Sequence, residues 1–281
     1  MTLCRKGATL DGNGFNFKFG FLDNAGGTQQ GGVPAVEFLA AELHFATIGL
    51  NPYNLFRKRL TGLTPEEGRR DGIYSLHANV GGPIYFDFST ADRAALRPAI
   101  INDPGVQARR AHLHELFASW WKPGCSLIVL LPDPDTSLAF VRKSMTESFA
   151  RLVGQSHLLT SPQLEEVMAA WWEEVEGDLQ TLDSQGSFLA LVDSWIAGTC
   201  TAPQQLPSDI LAGLQLEGKH LQEGGAAQLT AARPALTEES ARDIVLAVER
   251  ERLAALLDRC ADAQIQIVVD LVESWWDKYH P

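Results

Sequence analysis

Apolar residues recur at helical spacing through most of this chain, and the pattern centres on residues 168–196, MAAWWEEVEGDLQTLDSQGSFLALVDSWI. That stretch carries the pair Trp171 and Trp172, an acidic flank, a break at Gly186 and Ser187, and an apolar helix ending at Trp195. Two further pairs, Trp120 with Trp121 and Trp275 with Trp276, follow similar helical patterns. Adjacent residues on a helix cannot both face one core. One indole of each pair is therefore expected inside, and the other at an edge or interface.

The N-terminal part reads differently. Phe15, Phe17, Phe19 and Phe21 alternate with polar residues, a period of two that predicts a strand or hairpin arm. A polar Gly-rich turn follows at 21–32, and then a helix with Val36, Leu39, Leu43 and Ala46 on one face. Residues 73–88, IYSLHANVGGPIYFDF, predict two short strands around a Gly-Gly-Pro turn. Ser89 or Thr90 is a suitable N-cap for a helix beginning ADRAALRPAI, and DPG at 103–105 breaks the chain again.

Helix follows helix from Val106 onward. Leu113, Leu116, Phe117 and Trp120 share one face, and Leu138, Val141, Met145, Phe149 and Leu152 share another. The short apolar run SLIVLL at 126–131 fits a strand or a buried helix equally well. Ser161 and Pro162 open the next helix, which runs to Trp172. Thr237 caps the last pattern, with Glu238 and Glu239 on the favourable side of its dipole. Neither Gly nor Pro occurs between Ala235 and His280. Ile244, Val248, Leu256, Cys260, Ile267, Leu271 and Trp275 mark an apolar stripe there, consistent with one helix of about 40 residues or two stacked ones. Such a length usually packs against another long helix.

The expected architecture is mainly α: a helical domain with a long C-terminal helix, plus a small α+β N-terminal part. The boundaries fall at 1–88 for the N-terminal region, 89–200 for the helical domain, 201–236 for a linker, and 237–281 for the last helix.

Composition narrows the function. A hydrophobic fraction of 45% is that of a globular chain. The net charge of −12 is uneven: residues 1–75 hold eight Lys/Arg against seven Asp/Glu, and the rest fifteen against twenty-eight. An acidic body is a poor stand-alone nucleic-acid binder, so DNA contact would need a local basic strip or a partner. Cys4, Cys125, Cys200 and Cys260 are scattered without metal-ligand spacing, which predicts buried reduced thiols. The first residues lack the apolar core of a signal peptide, and no window reaches membrane-span length. A cytoplasmic protein with no membrane partner is expected.

The candidate chemistry is sparse. Asp23, Ala25, Gly27 and Thr28 form D-x-A-x-G-T after an apolar strand, where a Gly-rich turn can approach a ligand and the Asp can bond a ribose. The string resembles the D-P-A-C-G-T-G-G cofactor loop of N6-adenine DNA methyltransferases. It also resembles the L-D-N-A-G-G-T opening of class V aminotransferase-like enzymes, which requires a Schiff-base lysine. A structural turn is the plainer reading. Asn51, Pro52 and Tyr53 are one proline short of the [N/D]-P-P-[Y/F] loop that holds a flipped base; an ordinary turn starter is the much preferred reading. His112 and His114 have no acid or thiol at ligand spacing, and the strip Arg57, Lys58 and Arg59 fits a phosphate or plain solvation. No catalytic or metal-binding residue is assigned.

Residues 85–281 resemble the region that follows the catalytic domain in modification subunits of type I restriction–modification systems. The resemblance runs through ELFASWW, the helix ending SFARL, the stretch LLTSPQLEEVMAAWWEEVEGDLQTLDSQGSFLALVDSWIAG, and LVESWWDKYH. Its anchors are Trp120, Trp121, Trp171, Trp172, Glu173, Asp178, Leu179, Trp195, Trp275, Asp277, Lys278 and Tyr279. The resemblance implies a helical, non-catalytic part of an adenine-specific DNA methyltransferase subunit, assembling with a specificity-type subunit and reaching DNA through it. Trp171, Trp195, Trp275, Trp276, Lys278 and Tyr279 would then be docking residues. Two alternatives stay open: an S-adenosylmethionine-dependent DNA methyltransferase binding its cofactor at Asp23, Ala25, Gly27 and Thr28, and a stand-alone helical scaffold.

Overall fold

A computed structural model describes residues 9–10, 15–16, 35–50, 92–214, 216 and 218–279. The protein is mainly α. The described strands are β1 (Thr9–Leu10) and β2 (Phe15–Asn16), an antiparallel pair with Leu10 opposite Phe15. Phe17, Phe19, Phe21 and the expected strands at 73–88 lie outside the described residues. The chain divides into two compact units, Met1–Arg110 with Ala263–Pro281, and Ala111–Asp262.

In the first unit, α1 (Ala35–Ile48) buries Ala41, Phe45 and Ile48. Leu43 is 76% exposed. The expected face through Leu43 and Ala46 is therefore corrected: neighbouring structure selects the phase in a helix that is apolar nearly all round. Phe45 meets Trp275 edge to face, with ring centroids 5.8 Å apart. The helix ends at Gly49, whose φ of +79° suits glycine. A Cβ there would come within 2.7 Å of the Gly105 carbonyl, so two glycines set this close approach.

Asp92 caps α2 (Arg93–Ile101), accepting the Ala94 N–H at 3.0 Å. This places the cap later than Ser89 or Thr90, because the Asp92 carboxylate is the acceptor next to the first turn. Leu96 and Ile100 are buried. Arg93 donates to Asp277 at 2.8 Å, and Arg97 to Gln266 at 2.7 Å. Asp103 starts α3 (Pro104–Ile128) by accepting the Gly105 N–H at 2.8 Å.

The second unit is built on indoles. The run SLIVLL is resolved toward helix, since α3 continues to Ile128. Leu113, Phe117, Trp120 and Trp121 are buried on α3. Trp120 packs against Phe149 of α4 (Leu138–Val153) at 4.8 Å and donates to Ser148 at 2.9 Å. On α4 the buried line is Val141, Met145, Phe149 and Val153; Leu152 is only half-buried. Against α4 packs α5 (Ser161–Glu174), where Trp172 donates to Thr146 at 3.0 Å. Trp121 and Trp172 are 7% and 8% exposed, against 2% and 0% for Trp120 and Trp171. The expectation of an edge position for the second indole is corrected in these two pairs. Each second ring is covered by its neighbours.

Next come α6 (Glu176–Gln185) and α7 (Phe188–Ala197), joined at Gly186 with φ +62°. Ser187 caps α7 by accepting the Ala190 N–H at 3.2 Å. Residues 201–236 contain α8 (Ser208–Gly213) and α9 (Gly225–Ala232), and α9 packs on α7.

One continuous helix, α10 (Glu238–Tyr279, 42 residues), closes the chain. Thr237 accepts the Ser240 N–H at 3.2 Å, and Ser240 accepts the Thr237 N–H at 2.8 Å. Ala241, Val245, Glu249, Leu253, Leu257, Ala261, Ile265 and Val269 are all buried, every fourth residue. A step of four runs about 40° ahead of a full turn, so the buried line winds around the helix. That corrects the expected single stripe: Leu256, Cys260 and Leu271 are half-buried and Ile267 is 45% exposed.

Candidate functional site

A buried cluster of charge in the second unit stands out from this apolar core. Asp178, from the first turn of α6, is 3% exposed, and Glu249 of α10 is 1% exposed. Arg252 lies one turn beyond Glu249, on the same side of the helix. Its Nη1 donates to Asp178 Oδ2 at 2.6 Å and to Glu249 Oε1 at 2.8 Å. Its Nη2 donates to the Thr201 carbonyl at 2.6 Å. The Trp195 indole N–H satisfies the other oxygen, Asp178 Oδ1, at 2.9 Å. The guanidinium sits 5.6 Å from the centre of that indole, a cation–π distance.

One guanidinium therefore serves two carboxylates, and Glu249 Oε2 is buried and accepts no hydrogen bond. Burial, the Asp178 carboxylate and Glu174 outweigh the Arg252 charge and push Glu249 up to about 8. Burial and the neighbouring acids thus favour the neutral form of Glu249, which leaves the single Arg252 charge one fewer carboxylate to balance. Arg252 is also where the cluster reaches a cleft of about 530 Å³, lined by Glu174, Thr201, Gln204, Ala255 and Arg259 among others.

Nearby groups are chemically quiet. Cys200 and Cys260 are half-buried free thiols, and burial raises both above the usual thiol range. That disfavours a nucleophilic thiolate. His114 pairs with Asp258 at 2.7 Å at the surface, and His112 lies 3.6 Å from Glu115. Among the described residues no group of three His, Cys, Asp or Glu is arranged to hold a metal ion. No described helix is long and apolar enough to cross a membrane.

The sequence-predicted site residues are dispersed. Asp23, Ala25, Gly27, Thr28, the Asn51 to Tyr53 loop and the strip at 57–59 lie outside the described residues. The indoles of Trp171 and Trp195 are buried in the second unit, and that of Trp275 in the first. Trp276 is half-buried and Lys278 exposed. Tyr279 ends α10, and its side chain lies outside the described residues. Of the predicted docking set, Trp195 meets the buried cluster, through Asp178 and Arg252. Sequence reasoning missed Glu249 and Arg252, yet a signal was present: Glu249 falls in phase with Ala241, Val245 and Leu253, an acid in a core position. Comparison of the chain with protein-family models, with curated proteins and with solved structures gives no match.

Proposed function

We propose that this chain is a non-catalytic helical assembly subunit that docks a partner helix on the last turns of α10. The observation that carries the reading is the apolar line the first unit leaves uncovered. Ala263 and Ile267 are exposed and Leu271 half-buried, in steps of four, and the line runs on to exposed Ser274 and Lys278. Exposed Asp270 borders it. A fitting occupant is an amphipathic helix whose apolar seam is edged by Lys or Arg. By the sequence resemblance that helix belongs to a specificity-type subunit, with DNA reached through it in a cytoplasmic complex. Support also comes from charge: residues 152–218 contain ten Asp/Glu and neither Lys nor Arg. Such a surface repels phosphate, so a nucleic-acid role has to run through a partner.

Sedimentation velocity of the chain, alone and mixed with a specificity-type subunit, tests this. The expected result is a monomer alone and a complex with the subunit that is lost in Ile267→Asp and Leu271→Asp. Ile267 is exposed, so its substitution should change stability by no more than about 0.5 kcal/mol. A complex that survives both substitutions, no complex at all, or self-association through this line would each overturn the reading.

A further inference from the structure

The Asp178–Arg252–Glu249 cluster is not needed for docking on α10, and burying it is costly. A buried ion pair of this kind contributes little net stability over apolar packing. Glu249 Oε2 accepts no hydrogen bond, and the Glu249 side chain bonds to Asp178 only while it carries a proton. The chain segment it holds, around Thr201, forms one wall of the cleft.

We infer that this cluster is a proton-operated latch: with Glu249 protonated, Arg252 holds the Thr201 carbonyl and keeps the cleft wall in place, and loss of that proton releases it. The charged groups facing Glu249 are Asp178 from α6, Glu174 at the end of α5 and Arg252 on α10 itself. Cys200, on the held segment, is a neutral thiol pushed up by burial and adds no charge. While Glu249 is neutral, Nη1 alone bridges the two acids and Nη2 is free to serve Thr201. When its proton leaves to solvent, Glu249 becomes a carboxylate with one oxygen unpaired and a buried net charge of −1. A guanidinium satisfies a carboxylate best through two parallel N–H bonds. The second donor of that fork is Nη2, the group that holds Thr201. Pairing Glu249 fully thus costs the segment its anchor. Glu249 is pushed up to about 8, so the change falls just above neutral pH.

Two measurements on the full chain test the latch. In hydrogen exchange, the protection of amides 199–207, corrected for the intrinsic pH dependence of exchange, should fall by about tenfold or more between about pH 6.5 and 9. Glu249→Gln, which keeps the shape of the neutral acid, should abolish that fall. An identical pH profile in both proteins overturns the proposal. Carboxyl-carbon NMR of the unsubstituted chain gives an answer even if Glu249→Gln fails to fold. One glutamate should titrate with a midpoint near 8; if every glutamate titrates in the ordinary carboxylate range, the latch does not exist.

Discussion

The same cluster sets sharp expectations for single substitutions. Arg252→Ala leaves the buried Asp178 carboxylate without its cation and the Thr201 carbonyl without its donor. Breaking a buried pair in this way costs about 3–5 kcal/mol, which urea unfolding of the purified chain would read. Trp195→Phe removes only the indole donor to Asp178 and should cost less, about 1–3 kcal/mol. The pH dependence has a definite sign. An unfolded glutamate loses its proton near 4.5, while native Glu249 holds its proton to about 8. Between these values the native state binds more protons, so stability is greatest below 4.5 and falls as pH rises through that window. Asp193 beside Arg233 and Asp277 beside Arg93 are both held below the usual carboxylate range, and their smaller contributions run the other way. Thermal unfolding from pH 5 to 9 should show a decline that Glu249→Gln flattens. A stability that rises across that interval would contradict the buried-acid reading.

Helix termini show a second level of control, and one carboxylate joins two of them. Glu238 in the first turn of α10 accepts hydrogen bonds from the Ser187 hydroxyl at 2.9 Å and from the Leu189 N–H at 3.2 Å. It therefore stabilises the positive end of α7 from another helix. Glu238→Ala should cost about 1 kcal/mol, within the range of a lost cap, while Glu239→Ala one residue away should cost far less. Paired urea titrations would separate the two. These elements also show what was legible in the sequence. Caps and breaks such as Thr237, Asp103 and Gly186 are local chemistry, and they mark the ends of helices where the sequence suggests. The long C-terminal helix was legible from the absence of Gly and Pro. Burial along that helix was not, because its neighbours change along its length and a single stripe cannot track them. In α1 the apolar residues surround the helix, so no face stands out until Phe45 is seen against Trp275. The Arg252 cluster joins positions 74 residues apart, a separation that no local pattern carries.

Across the molecule, charge is the property that most constrains function. The stretch 152–218 is wholly without Lys and Arg, and on α5 its acids Glu165, Glu166, Glu173 and Glu174 are exposed. Non-specific DNA affinity comes from cations displacing the counterions of phosphate, and each contact steepens the salt dependence. A surface of the opposite sign gains nothing from that exchange. The chain alone should therefore show no binding to duplex DNA by fluorescence anisotropy, even at 50 mM salt, where electrostatic attraction is about at its strongest. Together with a specificity-type subunit, DNA binding should appear, and its salt slope should match that of the subunit by itself, since this chain adds no phosphate contacts. Ile267→Asp should then leave the DNA affinity of the subunit unchanged while removing this chain from the DNA-bound complex. A salt-sensitive affinity in the isolated chain would instead place a phosphate-binding surface on it, and the assembly reading would lose its electrostatic support.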